Sequence, residues 1–106
     1  MPELRLYESN LSREAVAFVE GLSKRRQRVL LDLADRIARQ PSKIGDYQYI
    51  DTAGRAIENL RLEGYVFSYW VDHSSREVRI TEIVRLKETI RAEQIGPSER
   101  RWRHRS

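Results

Sequence analysis

The sequence predicts an α+β domain: an N-terminal strand, an α-helical hairpin, then a four-strand antiparallel meander packed on the helices. Two stretches of different period carry this expectation, with apolar residues recurring at helical spacing through residues 12–40 and alternating from residue 45 to residue 85. Size is the third observation, because 106 residues suffice for one core and are too few for two cores and a linker. Residues 1–95 therefore read as a single domain, and 96–106 as a basic, flexible C-terminal tail.

Leu4, Leu6 and the polar residues between them, through Glu8, alternate as a short opening strand. Ser12 is an N-cap with Glu14 in the first turn, and Ala15, Phe18, Val19 and Leu22 follow at helical spacing until Gly21–Ser23 interrupts them. Ser23 caps a longer helix whose apolar stripe is Leu30, Leu33, Ala34 and Ile37, with Asp32–Arg36 and Asp35–Arg39 as i,i+4 pairs on its wet side, and Pro41 ends it. Joined by so short a break, the two helices should pair and lay a shared apolar face on a sheet.

From Gly45 the period falls to two. Tyr47, Tyr49 and Asp51 oppose Gln48 and Ile50, and a turn at Thr52–Gly54 leads into a strand from Arg55 to Glu63. There Leu60 and Leu62 share one face while Asn59, Arg61 and Glu63 share the other, and Glu63-Gly64 suits a tight hairpin. Tyr65–Val71 is aromatic and β-branched, with Tyr65, Phe67, Tyr69 and Trp70 expected in the core. Asp72-His73-Ser74-Ser75 is turn chemistry, and Arg76–Arg85 alternates again, Val78, Ile80 and Val84 against Glu77, Arg79, Thr81 and Arg85. Residues 86–95 carry a weaker helical pattern.

Composition narrows the function classes. With no cysteine there is no disulfide, thiolate nucleophile or cysteine metal site, and two histidines 31 positions apart do not suggest a metal centre, so no metal or other cofactor is expected. No apolar stretch is long enough to span a bilayer and the N-terminus has no signal-peptide pattern, so no membrane association and a cytoplasmic location are expected. The net charge is +4, and three of those charges fall in residues 96–106, where four arginines face one glutamate. The other basic concentration is Lys24, Arg25, Arg26 and Arg28, in a stretch 21–31 without an acid. Cations in the first turn of a helix are disfavoured by its dipole, which invites a reason such as contact with nucleic-acid phosphate, a solvated helix tip being the alternative.

The stretches LRLYESNLSREAVAFVEGLSKRRQRVLLDLADRIARQP and NLRLEGYVFSYWVDHSSREVRITEIVRL together resemble the RelE/ParE superfamily of toxins from type II toxin–antitoxin modules. The likeness covers residues 3–86: a strand and helical hairpin, then a hairpin similar to the pattern L-R-x-G-x-Y-R-x-x-Y and a last strand ending in an arginine. It implies a toxin with a small acidic antitoxin as partner. In the RelE branch it implies inhibition of translation by metal-independent, ribosome-dependent mRNA cleavage. The ParE branch would block DNA gyrase without nuclease activity, and a non-toxic binding module that keeps the fold is a third reading.

Carried over residue by residue, the resemblance makes Arg85, at the end of the last strand, the leading catalytic candidate. Arg61 follows, and Lys87 is a stand-in for a tyrosine that the pattern expects beyond that arginine and this chain lacks. Val66 stands where the pattern has a hairpin arginine. Arg79, with Lys24, Arg25, Arg26 and Arg28, completes the candidate nucleic-acid-binding set. Alternation puts Arg61, Arg79 and Arg85 on one polar sheet face, where the same residues could equally be ion-pairing with Glu58, Glu63, Glu77 and Glu82. No general base is identified, and His73 in a turn reads first as a solvated histidine.

Overall fold

Two serines start the helices at the expected positions. Ser12 Oγ accepts the Ala15 N–H at 3.0 Å and opens α1 (Arg13–Glu20), while Ser23 Oγ accepts the Arg26 N–H at 3.2 Å and opens α2 (Lys24–Ala38). The Ser12 hydroxyl also donates to the Thr81 carbonyl at 2.8 Å, tying the first helix end to the sheet beneath it. The computed structural model describes residues 7–86. Before the helices lies β1 (Glu8–Leu11), and after them come β2 (Tyr47–Ile50), β3 (Ala56–Leu62), β4 (Tyr65–Asp72) and β5 (Glu77–Arg85).

The five strands form one sheet in the order β1-β5-β4-β3-β2. Strands β2 to β5 are the expected antiparallel meander, and β1 lies parallel to β5 at the far edge, Glu8 opposite Glu77 and Leu11 opposite Ile80. The helical hairpin carries the chain from one edge of the sheet to the other, and the meander works back until β5 meets β1. The described opening strand runs Glu8–Leu11, past the Glu8 at which alternation ends it, because pairing with β5 carries it on; residues 4–6 of the expected strand lie outside the described residues. The weakly helical 86–95 and the tail 96–106 lie outside them too, apart from Leu86. No described helix is long and apolar enough to cross a membrane.

The core fills the space between hairpin and sheet. Val19, Leu30, Leu33, Ala34 and Ile37 from the helices meet Leu60, Tyr65, Phe67, Tyr69, Val78, Ile80 and Ile83 from the strands, with Phe18 packed against them. Neither Asp32–Arg36 nor Asp35–Arg39 is among the ion pairs of the described residues, so the wet face of α2 is held by packing beneath it. The β3–β4 turn is the two-residue hairpin expected at Glu63-Gly64, both residues left-handed with φ of 52° and 87°. Gly45, at the entry to β2, answers a different demand: a Cβ there would lie 2.8 Å from the Asn59 carbonyl oxygen and 2.9 Å from its nitrogen.

One irregularity reorders the far half of β5. Ser68 faces Glu82 but Tyr69 faces Ile80, so Thr81 is an extra residue, a β-bulge. Beyond it the inward residue is Ile83, not Val84, which is 41% exposed on the side of the sheet away from the helices. Trp70 is likewise not core: it pairs with Arg79 on the open face and stays half-buried.

Candidate functional site

The bulge separates the three arginines that alternation groups together. Arg61 opposes Val66, which in turn opposes Val84, and Arg79 opposes Trp70; both arginines belong to the open face. Arg85 opposes Tyr65, a core residue, and so lies on the helix side. Counting by twos from Arg79 to Arg85 gives the wrong face because Thr81 consumes one step. The spacing of Ile80 and Ile83, three apart in a strand of period two, was the sign of it in the sequence.

On the open face Arg79 is fully engaged. Its Nε lies 3.2 Å from Asp72 Oδ2 and its Nη2 2.9 Å from Glu77 Oε1. Asp72 also accepts the Ser74 hydroxyl at 2.9 Å and the Ser75 N–H at 3.3 Å, and these bonds, that from Ser74 foremost, hold its pKa down to about 2. Trp70 stacks beneath two guanidiniums, Arg55 at 4.6 Å and Arg79 at 5.7 Å from the ring centroid, and Arg55 is itself paired with Asp51 at 3.0 Å. This end of the face is a neutralised lattice of cations, carboxylates and an indole. The ion-pairing reading holds for Arg79, whose partners are Asp72 and Glu77.

At the opposite end of β4 no described carboxylate neutralises the charge. Arg85 and Arg26 each bring Cζ to 5.5 Å from the Tyr65 ring centroid, one from the end of β5 and one from the first turn of α2, and Phe18 meets the same ring edge-on at 6.0 Å. Among the described residues neither guanidinium has a carboxylate partner, and the first turn of α2 contains no acid. Tyr65 is 1% exposed, and its hydroxyl is buried without a hydrogen-bond partner. Lys24, Arg25 and Arg28 stand exposed on the same helix end, and Arg61 reaches the same end of the sheet from the open face. The sequence offered Arg26 and Arg85 as separate candidates; only the fold brings them onto one ring.

This arrangement suits a phosphodiester. Two guanidiniums and the α2 N-terminus supply donors and positive potential, and among the described residues no carboxylate pairs with either guanidinium. Among the described residues it offers no evident proton-transfer group. Lys87 lies outside the described residues. His73 stands past the far end of β4, eight residues or roughly 26 Å along the strand from Tyr65. There its Nδ1 is 2.7 Å from the Tyr7 hydroxyl, with the rings edge-to-face. A cleft of about 430 Å³ opens beside it, between the 41–44 loop and Arg55, Trp70 and Val71.

Comparison with known proteins agrees with the fold. No family model matches the sequence, and no curated protein matches it. Among solved structures, the RelBE2 toxin–antitoxin complex of Mycobacterium tuberculosis is similar with a TM-score of 0.64 at 17% identity, covering 78% of this chain and 94% of that one. The archaeal RelE–RelB complex of Pyrococcus horikoshii gives 0.61 at 18% identity, over 80% of this chain and 100% of that one. The isolated RelE toxin of E. coli gives 0.60 at 12% identity, over 84% and 94%. Strand order, helical hairpin and these superpositions together establish that the chain has a RelE-like fold.

Proposed function

We propose that this chain is the toxin of a type II toxin–antitoxin module and that it inhibits translation in the cytoplasm by ribosome-dependent mRNA cleavage. The observation that carries this reading is the pair Arg26 and Arg85 on Tyr65, without a carboxylate partner among the described residues, at the basic end of a RelE-like fold. In this reading Arg85 and Arg26 hold the scissile phosphate and stabilise the charge that builds on it as the 2′-hydroxyl attacks. Arg61 contacts the strand from the open side, Lys24, Arg25 and Arg28 extend the contact along the backbone, and Lys87, standing in for the tyrosine that the resemblance expects, supplies a further cation. The partner is a small acidic antitoxin that covers the basic end, as charge complementarity requires.

The test is induction in cells with and without the neighbouring gene, for the parent and for Arg85→Ala. The parent should arrest growth and cut mRNA within codons. Arg85→Ala should relieve arrest by removing about 2–4 kcal/mol of transition-state stabilisation while leaving the melting temperature nearly unchanged. An Arg85→Ala variant as toxic as the parent refutes the assignment.

Gyrase inhibition is the second reading, favoured by one observation: Val66 and Val84 form an apolar pair on the open face, where the sequence pattern has an arginine. A supercoiling defect without mRNA cleavage on induction separates the two.

A further inference from the structure

Among the described residues nothing covers the edge of the sheet at β2. Sheet edges are ordinarily blunted by lysine, proline, a bulge or a covering element, because a row of free amides recruits another strand. Tyr47-Gln48-Tyr49-Ile50 has no charge and no proline, and all four residues are exposed. Of the eight large hydrophobic residues exposed among the described residues, three fall in this segment, Tyr47 at 48%, Tyr49 at 47% and Ile50 at 63%, and a fourth, Ile44 at 75%, lies three residues before it.

We propose that β2 pairs antiparallel with β2 of a second copy of this chain, about a two-fold axis through Gln48, joining two five-stranded sheets into one of ten strands. The backbone is arranged for it. Asp51 donates its N–H to the Arg55 carbonyl at 3.0 Å, so by alternation Tyr49 and Tyr47 also bond to β3, while Gln48 and Ile50 turn their amides outward. With Gln48 on the axis, the two Gln48 residues exchange N–H···O bonds. Tyr47 of each copy then meets Tyr49 of the other on the open face, an aromatic cross-strand pair made twice.

Charge permits this register and disfavours its neighbour. Centring the axis between Gln48 and Tyr49 would set Asp46 against Asp51 of the other copy; centring it on Gln48 sets Asp46 opposite Ile50 and Asp51 opposite Gly45. Both flanking carboxylates are already occupied within the chain. Asp46 Oδ2 accepts the Arg61 N–H at 2.7 Å, and Asp51 pairs with Arg55. Four-residue strands bury little area, so the dimer is a micromolar one that forms as concentration rises.

Sedimentation of the full chain over a concentration series tests this. The parent should pass from monomer to dimer. Gln48→Pro removes an amide that faces away from β3, so it should stay monomeric with little change in melting temperature. Gln48→Lys keeps the amide but sets two ammonium groups on the axis, and should weaken association about tenfold or more; it decides the matter if the proline variant does not fold. Leu31→Lys, which charges an exposed apolar position on α2, should dimerise as the parent does. A parent that stays monomeric up to about 0.5 mM overturns the proposal and leaves the edge to a strand of a different protein. So does dimerisation undiminished in both Gln48 variants, or dimerisation abolished by Leu31→Lys.

Discussion

Tyr65→Phe should make this protein more stable. The hydroxyl of Tyr65 is buried and makes no hydrogen bond among the described residues, and a polar group in that state costs about 1–3 kcal/mol relative to water. Replacing it with hydrogen removes that cost and leaves a gap the size of one oxygen, worth roughly 0.3 kcal/mol at about 24 cal/mol per Å³. The ring remains in place for Phe18, Arg26 and Arg85. A net gain of about 1–2 kcal/mol would raise the melting temperature of a domain this size by about 5–10 °C. Tyr65→Leu is the contrast, since it removes the edge-to-face pair and the surface on which two guanidiniums rest, and it should destabilise by about 2–4 kcal/mol. Thermal and urea unfolding of the three proteins decide the matter. A fall in melting temperature for Tyr65→Phe would mean that the hydroxyl has a partner in solution and would refute the account of this site. If Tyr65→Phe gains stability but loses toxicity, the phenol takes part in the chemistry, and the unpaired hydroxyl is a stability cost retained for function.

Leu33→Ala should cost about 2–5 kcal/mol, read by urea unfolding, whereas Leu31→Ala, two positions away on the exposed side of α2, should cost under about 1 kcal/mol; equal effects would show that this stripe is not core. Gly45→Ala should lower the melting temperature, because the new methyl meets the Asn59 backbone and the Glu58 carboxylate that now accepts the Gly45 N–H at 2.8 Å loses its geometry. Acid should weaken the open face between about pH 4 and pH 2. Asp72 has a folded pKa of about 2, below its ordinary 3.8, so its contribution is complete above about pH 4 and is lost as pH falls through about 2. Asp72→Asn should flatten the stability–pH curve across that window, and an unchanged curve would dissociate Asp72 from the lattice it anchors.

The two arginine assemblies at opposite ends of β4 show why a cation's partners matter more than its count. Arg79 and Arg55 stack on an aromatic ring as Arg26 and Arg85 do, but carboxylates lie within 3.2 Å of both. Their positive charge has been spent inside the fold, and an anionic ligand would have to displace Asp51, Asp72 or Glu77. At the Tyr65 end no described carboxylate competes.

The sequence by itself determined the elements. Ser12, Ser23 and Pro41 bound the helices, the apolar stripe from Leu30 to Ile37 names the face that packs, and Glu63-Gly64 places the central hairpin; each of these is local chemistry acting within a few residues. Only the tertiary structure decided which residues share a site. β1 runs on to Leu11 because β5 pairs with it there, beyond the stretch that its own alternation marks. One inserted residue, Thr81, turned Arg85 from the open face to the helix side, and that single step of register put it on Tyr65 beside Arg26, 59 positions earlier in the chain. Period-two patterning records which way a side chain points only while the ladder is regular. Where a bulge intervenes, the partner strand sets the count, and the partner is a property of the fold.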